Sequence, residues 1–307
     1  MKIKDETLGM WLGVVGVAFF AVTLPMTRLA TGTQDAPQLS PWFVTLGRAA
    51  LAGVLSAIFL LATRSPLPQR HQWKPLGMAV LGNVIGYPLL LAYALRVVSA
   101  SHAAVVTALL PLVTAACAAW VLHQRARLGF WLCALAGSAL VIVFSVLRAG
   151  DQGFGFAWGD LLLVGAVFAA SLGYIYGAQV TPALGAERVI CWVCVMVLPV
   201  TLPGTLWLWP AQPVAASAWA GFVYVGVFSM WMGFFAWYRG LAMGGALRVS
   251  QTQLLQPFLS ILAAVPLLGE PIDIVTLGFA GAVVATVVAG KRLSQARTST
   301  ALATASR

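Results

Sequence analysis

Apolar stretches of roughly twenty residues recur along almost the whole of this chain, joined by connections too short to fold alone. That pattern leaves one solvent for most of the surface. A helix rises about 1.5 Å per residue and the bilayer's hydrocarbon core is about 30 Å thick, so about 20 apolar residues span it. Ten such segments consume nearly all of the 307 residues, with no room for a separate soluble domain. Charged residues make up only 8%, against about 25% in a water-soluble domain. So few charges cannot cover a protein of this size in water.

The expected helices are 8–29, 42–62, 76–95, 101–122 and 128–147, then 158–180, 189–209, 215–238, 246–268 and 272–289. Pro and Gly punctuate most joints, at Pro37 and Pro41, Pro66 and Pro68, Gly150 to Gly155, Pro182, Pro210 and Pro213, and Pro271. Lys2 and Lys4 before an apolar run resemble a signal peptide, but the run continues to about Leu24 without a cleavage context. It reads as an uncleaved first helix.

Basic residues set orientation. With the N-terminus inside, the inner segments hold Lys2, Lys4, Arg64, Arg70, Lys74, Arg125, Arg127, Arg188, Arg239, Arg248, Lys291, Arg292, Arg297 and Arg307. Those are 14 of the 18 basic residues, and an odd number of crossings would scramble the pattern. The net charge of +10 is therefore a membrane signal rather than a nucleic-acid one. The expectation is a multi-pass protein of a bacterial-type inner membrane with both termini cytoplasmic. Cys117, Cys133, Cys191 and Cys194 all fall within apolar runs, and the Cys191–Cys194 pair reads as small packing residues.

The chain also repeats itself. Gly16-Val-Ala-Phe19-Phe-Ala21 in helix 1 parallels Gly165-Ala-Val-Phe168-Ala-Ala170 in helix 6, and Tyr93 precedes Pro111 much as Tyr238 precedes Pro257. Five helices are an odd number, so the second set enters from the opposite side. The expected fold is an all-α membrane protein of ten transmembrane helices in two inverted five-helix repeats, residues 1–149 and 150–292, with a tail at 293–307. Secondary transporters are commonly built this way, with a site near the midplane.

Several marks resemble the EamA family of the drug/metabolite transporter superfamily, as two tandem units. They are the Gly16 to Ala21 stretch, Arg48 early in helix 2, and Tyr93-Ala-Leu95. Two longer runs join them, Ser99 to Val113 and Leu254 to Pro271, the latter with a mid-helix proline and a terminal Gly-Glu. The first half departs from this pattern, with Gln124 where the second has Glu270. The resemblance implies ten helices, alternating access and export of amino acids or similar small metabolites.

Polar residues at membrane depth mark the candidate chemistry, because lipid offers them no partner. Arg48 is the sharpest, read either as a contact for an anionic group of cargo or as a structural bond to carbonyls, Asp160 or Glu270. Asn83, Tyr87, Thr107, Ser171, Tyr174, Trp231, Gln253 and Gln256 are expected to line a common cavity. Trp120 is placed to touch cargo or pack inside, whereas most other tryptophans form interface belts. Pro25, Pro88, Pro111 and Pro257 are expected hinges. Arg28 and Arg96 read as snorkelling anchors. His102, Asp160 and Glu270 are the groups placed to couple a proton to transport. Gly9/Gly13, Gly82/Gly86, Gly173/Gly177 and Gly240/Gly244 have the GxxxG spacing of close helix packing. HExxH, GxGD and GxSxG are all missing from the sequence, which argues against a membrane-embedded enzyme. A passive channel or a lipid-linked carrier flippase is the remaining alternative. The partners expected are a small-molecule substrate and the lipid bilayer, with no nucleic acid, cofactor or metal.

Overall fold

Within a bilayer each backbone N–H and C=O must find its partner inside the protein, which favours helices. The computed structural model describes residues 3–121, 128–148, 158–244 and 250–295, and among these the β-content is one isolated bridge, Gly32 to Pro37. The first helices are α1 (Ile3–Thr31), α2 (Pro41–Ala62) and α3, a continuous rod over 73–97. Next come α4, made of Ala100–Thr107 and Leu110–Val121, and α5 (Leu128–Arg148). Then follow α6 (Trp158–Leu184), α7 (Ala186–Trp207) and α8, a rod over 216–244. The last are α9, made of Ser250–Leu255 and Gln256–Leu268, and α10 (Ile274–Gln295). The spans α1, α2, α3, α6, α7 and α8 contain helices long and apolar enough to cross a membrane, and the other four contain shorter apolar stretches. Residues such as Ile58, Leu61, Val200 and Trp207 are exposed on the outside, as lipid-facing side chains should be.

The expected boundaries recur closely, but α1, α8 and α10 run about a turn further, because polar flanks can continue the hydrogen-bond ladder. Pro182 is not a joint; α6 continues two residues past it. Gly150 to Gly155 and Gln124 lie outside the described residues.

Helices pack through missing side chains. A Cβ on Gly240 would lie 2.8 Å from Gly13 N and 2.9 Å from Gly9 O, so Gly240 meets the Gly9/Gly13 pair and brings α8 onto α1. A Cβ on Gly82 would lie 2.6 Å from Gly173 N, so one glycine of each remaining pair does the same for α3 and α6. Dispersion and close backbone approach, rather than the hydrophobic effect, hold such contacts in lipid. More widely, α1 lies against α8 and α9, α2 against α7, α3 against α6, α4 against α6 and α9, and α5 against α10. Adding five to each helix number maps this set of pairs onto itself.

The departures from α-geometry match as well. Val80–Gly86 of α3 and Val225–Met232 of α8 are both π-helical, while α4 breaks after Thr107 and α9 begins as a 3-10 turn. Three of the four expected hinge prolines follow these irregular turns. Pro88 and Pro257 open α-helical segments, and Pro111 is the second residue of Leu110–Val121. A proline there has no N–H to give to the preceding turn, which fits the irregular geometry on its N-terminal side. Pro25 differs, since α1 runs through it as unbroken α-helix.

Candidate functional site

Arg48 sits seven residues into α2, about 10 Å along its axis at about 1.5 Å per residue. It is 3% exposed, well below the expected exposure of a cation. Its Nη2 donates to Ser229 Oγ at 3.1 Å, and Thr23 Oγ1 donates to the same oxygen at 2.8 Å. One hydroxyl from the π-turn of α8 thus ties α1 to α2. Among the described residues, Nε and Nη1 of Arg48 have no hydrogen-bond partner. An orphaned donor on a buried cation is costly, roughly 1–3 kcal/mol or more per group.

The guanidinium lines a cavity of about 30 Å³, room for a water molecule in this conformation. Its polar lining comes from Thr23, Arg48, Asn83, Tyr87, Tyr174, Ser229 and Gln256. Phe20, Leu110, Met230 and Phe234 supply the apolar wall. The π-turns explain part of this arrangement. A π-turn widens the helix by one residue per turn and re-aims side chains, and such turns recur at functional sites. Here they carry Asn83 on one side, and Ser229 and Met230 on the other. Gly173 makes room for Asn83, whose backbone N lies 2.9 Å from where a Cβ would be.

Of the nine expected cavity residues, Arg48, Asn83, Tyr87, Tyr174 and Gln256 meet here. Thr107 and Gln253 line a smaller neighbouring cavity, which Gln256 also borders, beside the α4 break and Pro257. Ser171 lines neither cavity. It accepts a bond from Thr114 at 3.0 Å and donates to Val167 O at 2.8 Å, joining α4 to α6. Trp231 packs on Phe235 with centroids 4.8 Å apart, on the far side of the π-turn from Ser229. Trp120 does not pack inside. It is 69% exposed and shares a lateral crevice with Trp131, because the end of α4 turns that face outward. Thr23 and Ser229 were not foreseen; hydroxyl residues in apolar runs usually bond their own helix and leave no distinctive signal.

At the end of the bundle where α4 and α6 begin, the charges are arranged differently. Glu270 accepts from Ala100 N at 2.8 Å, Ser101 N at 2.9 Å and Ser101 Oγ at 2.6 Å. It caps α4, where open N–H groups and the helix dipole favour an anion. Gly269 makes this possible: its φ of 69° ends α9 in the left-handed region and turns Glu270 toward α4. Ser99 Oγ accepts from His102 N at 3.0 Å, and His102 Nε2 lies 2.6 Å from Asp160 Oδ1 on α6. Asp160 is 1% exposed. Arg28 is not a snorkelling anchor; its Nη1 donates to Leu95 O at 2.6 Å and to Val98 O, closing carbonyls left open at the end of α3. Arg96 is partly exposed, with a buried Nε that has no hydrogen-bond partner among the described residues. Arg48 pairs with neither Asp160 nor Glu270, both of which are engaged elsewhere.

Membrane-crossing apolar helices around a buried polar cavity define a multi-pass membrane protein of the transporter class. The chain belongs to the EamA-like transporter family, whose profile matches residues 7–146 and again 157–289. It is 37% identical over 294 residues to "Uncharacterized transporter YdeK" of Bacillus subtilis (strain 168), covering 95% of this chain and all of that one. A solved structure described only as "Crystal structure of protein" shares the fold, with a TM-score of 0.59 and 21% identity over 94% of this chain and 97% of that one. The family and this relative point to a transporter rather than an enzyme.

Proposed function

We propose that this transporter exports a small metabolite, an amino acid or related compound, across an inner membrane by alternating access, with the Arg48 cavity as its binding site. The observation that carries the reading is Arg48 itself: a buried cation with two unpartnered donors, lining a cavity between helices from both halves. The symmetric pairing of helices supports ten crossings in two inverted repeats, as does the recurrence of π-turns in α3 and α8. Contacts between segment ends agree with the basic-residue count. Glu270 meets Ser101, His102 meets Asp160, Gln38 meets Ala215 and Glu187 meets Arg239, each pair on one expected side. Rocking of one half against the other would expose the cavity alternately to the two sides. Glu270 is committed to capping α4, which leaves the His102–Asp160 pair as the coupling candidate.

Purified protein in liposomes tests this reading. Saturable exchange of internal for external solute is expected, and flux that never saturates would indicate a channel instead. In a background lacking the four native cysteines, Asn83→Cys and Gln253→Cys should react with a water-soluble thiol reagent. If both stay unlabelled, the pathway lies elsewhere.

A further inference from the structure

The charge inventory of the bundle is lopsided in a way that bears on cargo. Of the eight acids, Asp151 lies outside the described residues. The other seven sit in a first helical turn, as Asp5, Glu6, Asp160 and Glu187 do, or in a connection, as Asp35, Glu270 and Asp273 do. None reaches the depth of Arg48. The residues lining its cavity include no acid and no second base, so the cavity carries one positive charge met only by neutral dipoles.

We infer that the cargo is a monocarboxylate with an apolar tail and no free ammonium group, an organic acid or an N-blocked amino acid rather than an amino acid zwitterion. This inference rests on the proposed binding role of the Arg48 cavity and narrows its substrate class. The positive charge of Arg48, met by one serine hydroxyl, suits an anionic group such as a carboxylate. A sealed cavity then holds +1 and −1, a neutral whole. An amino acid would leave the occluded state with an ammonium facing only side-chain amides and hydroxyls. Moving an unpaired ion into a low-dielectric interior is heavily penalised. Beyond the guanidinium, Phe20, Met230 and Phe234 offer a hydrocarbon wall for the tail.

The test uses the purified full-length protein in lipid nanodiscs and two matched probe series. One is propionate, alanine and ethylamine; the other is 3-phenylpropionate, phenylalanine and phenethylamine. Binding is read by thermal shift, and transport by counterflow in liposomes. In at least one series the acid should bind at least tenfold tighter than the amino acid of the same skeleton. Arg48→Gln should erase that preference, and Arg48→Lys, which restores the charge, should recover part of it. The inference is overturned if, in both series, the amino acid binds as tightly as its acid. Acid binding that survives Arg48→Gln in folded protein, or no binding of either acid, also overturns it. Saturable counterflow of an amino acid would sink this inference while leaving the carrier reading standing. A dry Asn83→Cys with no solute movement would sink the carrier reading itself.

Discussion

The centre of the bundle and the end where α4 and α6 begin both hold ionisable groups that are at least partly buried, and most of those at the end have the partners that Arg48 lacks, Arg96 Nε being the exception. At that end Glu270 has three donors, His102 has Asp160, and Arg28 has two carbonyls. At the centre Arg48 has one serine hydroxyl for three nitrogens. A satisfied charge fixes helices relative to one another. An unsatisfied one stores the capacity to bind, because the bond it lacks is available to a ligand.

Substitutions can break or sharpen that contrast. The largest effect is expected from Arg48→Ala. Transport of a carboxylate should fall roughly 10- to 100-fold, the worth of a charge-assisted bond of about 1.5–3 kcal/mol. Its melting temperature should hold or rise, since an uncompensated charge leaves the interior. A collapse in stability with unchanged transport would make Arg48 a structural group like the others. Glu270→Ala should do the reverse. Leaving the α4 N–H groups bare should cost about 1–3 kcal/mol of stability, read as a lower melting temperature, with affinity for cargo preserved. Ser229→Ala is a smaller probe of the centre. It removes a hydroxyl shared by Arg48 and Thr23 and should change affinity only a few-fold, on the order of 1 kcal/mol. An effect on stability larger than that of Glu270→Ala would erase the distinction between the two regions. The smallest expected effect is that of Gly278→Ala, where an added Cβ meets nothing within 4 Å. It should be close to neutral in melting and in transport, whereas Gly82→Ala, facing the backbone of Gly173, should not fold to the same packing.

Much of the helix pattern was legible before any coordinates, because length and apolarity are local properties. The four GxxxG pairs were legible too, although which pair meets which was not. Two runs that mark the family turn out to answer each other. Ala100 and Ser101 of one run meet Glu270 of the other, and His102 meets Asp160 of α6, across the fold. That relation was invisible along the chain, where about 170 positions separate Ser101 from Glu270. Five of the nine expected cavity residues line one cavity, and Thr107, Ser171, Trp231 and Gln253 lie elsewhere. Counting depth along a helix places a residue at a height but not on a face, so Trp231 and Ser171 share the depth of the cavity without lining it.

From its order of residues alone this chain was bound to be a bundle of membrane-crossing helices, because so few charges and so many apolar runs admit no other solvent. Which charges would be neutralised and which left open was decided only when the helices packed. Hydrogen bonding depends on a few tenths of an ångström and on facing direction. Those quantities come into existence only when α2 meets the π-turn of α8 and α9 meets the start of α4.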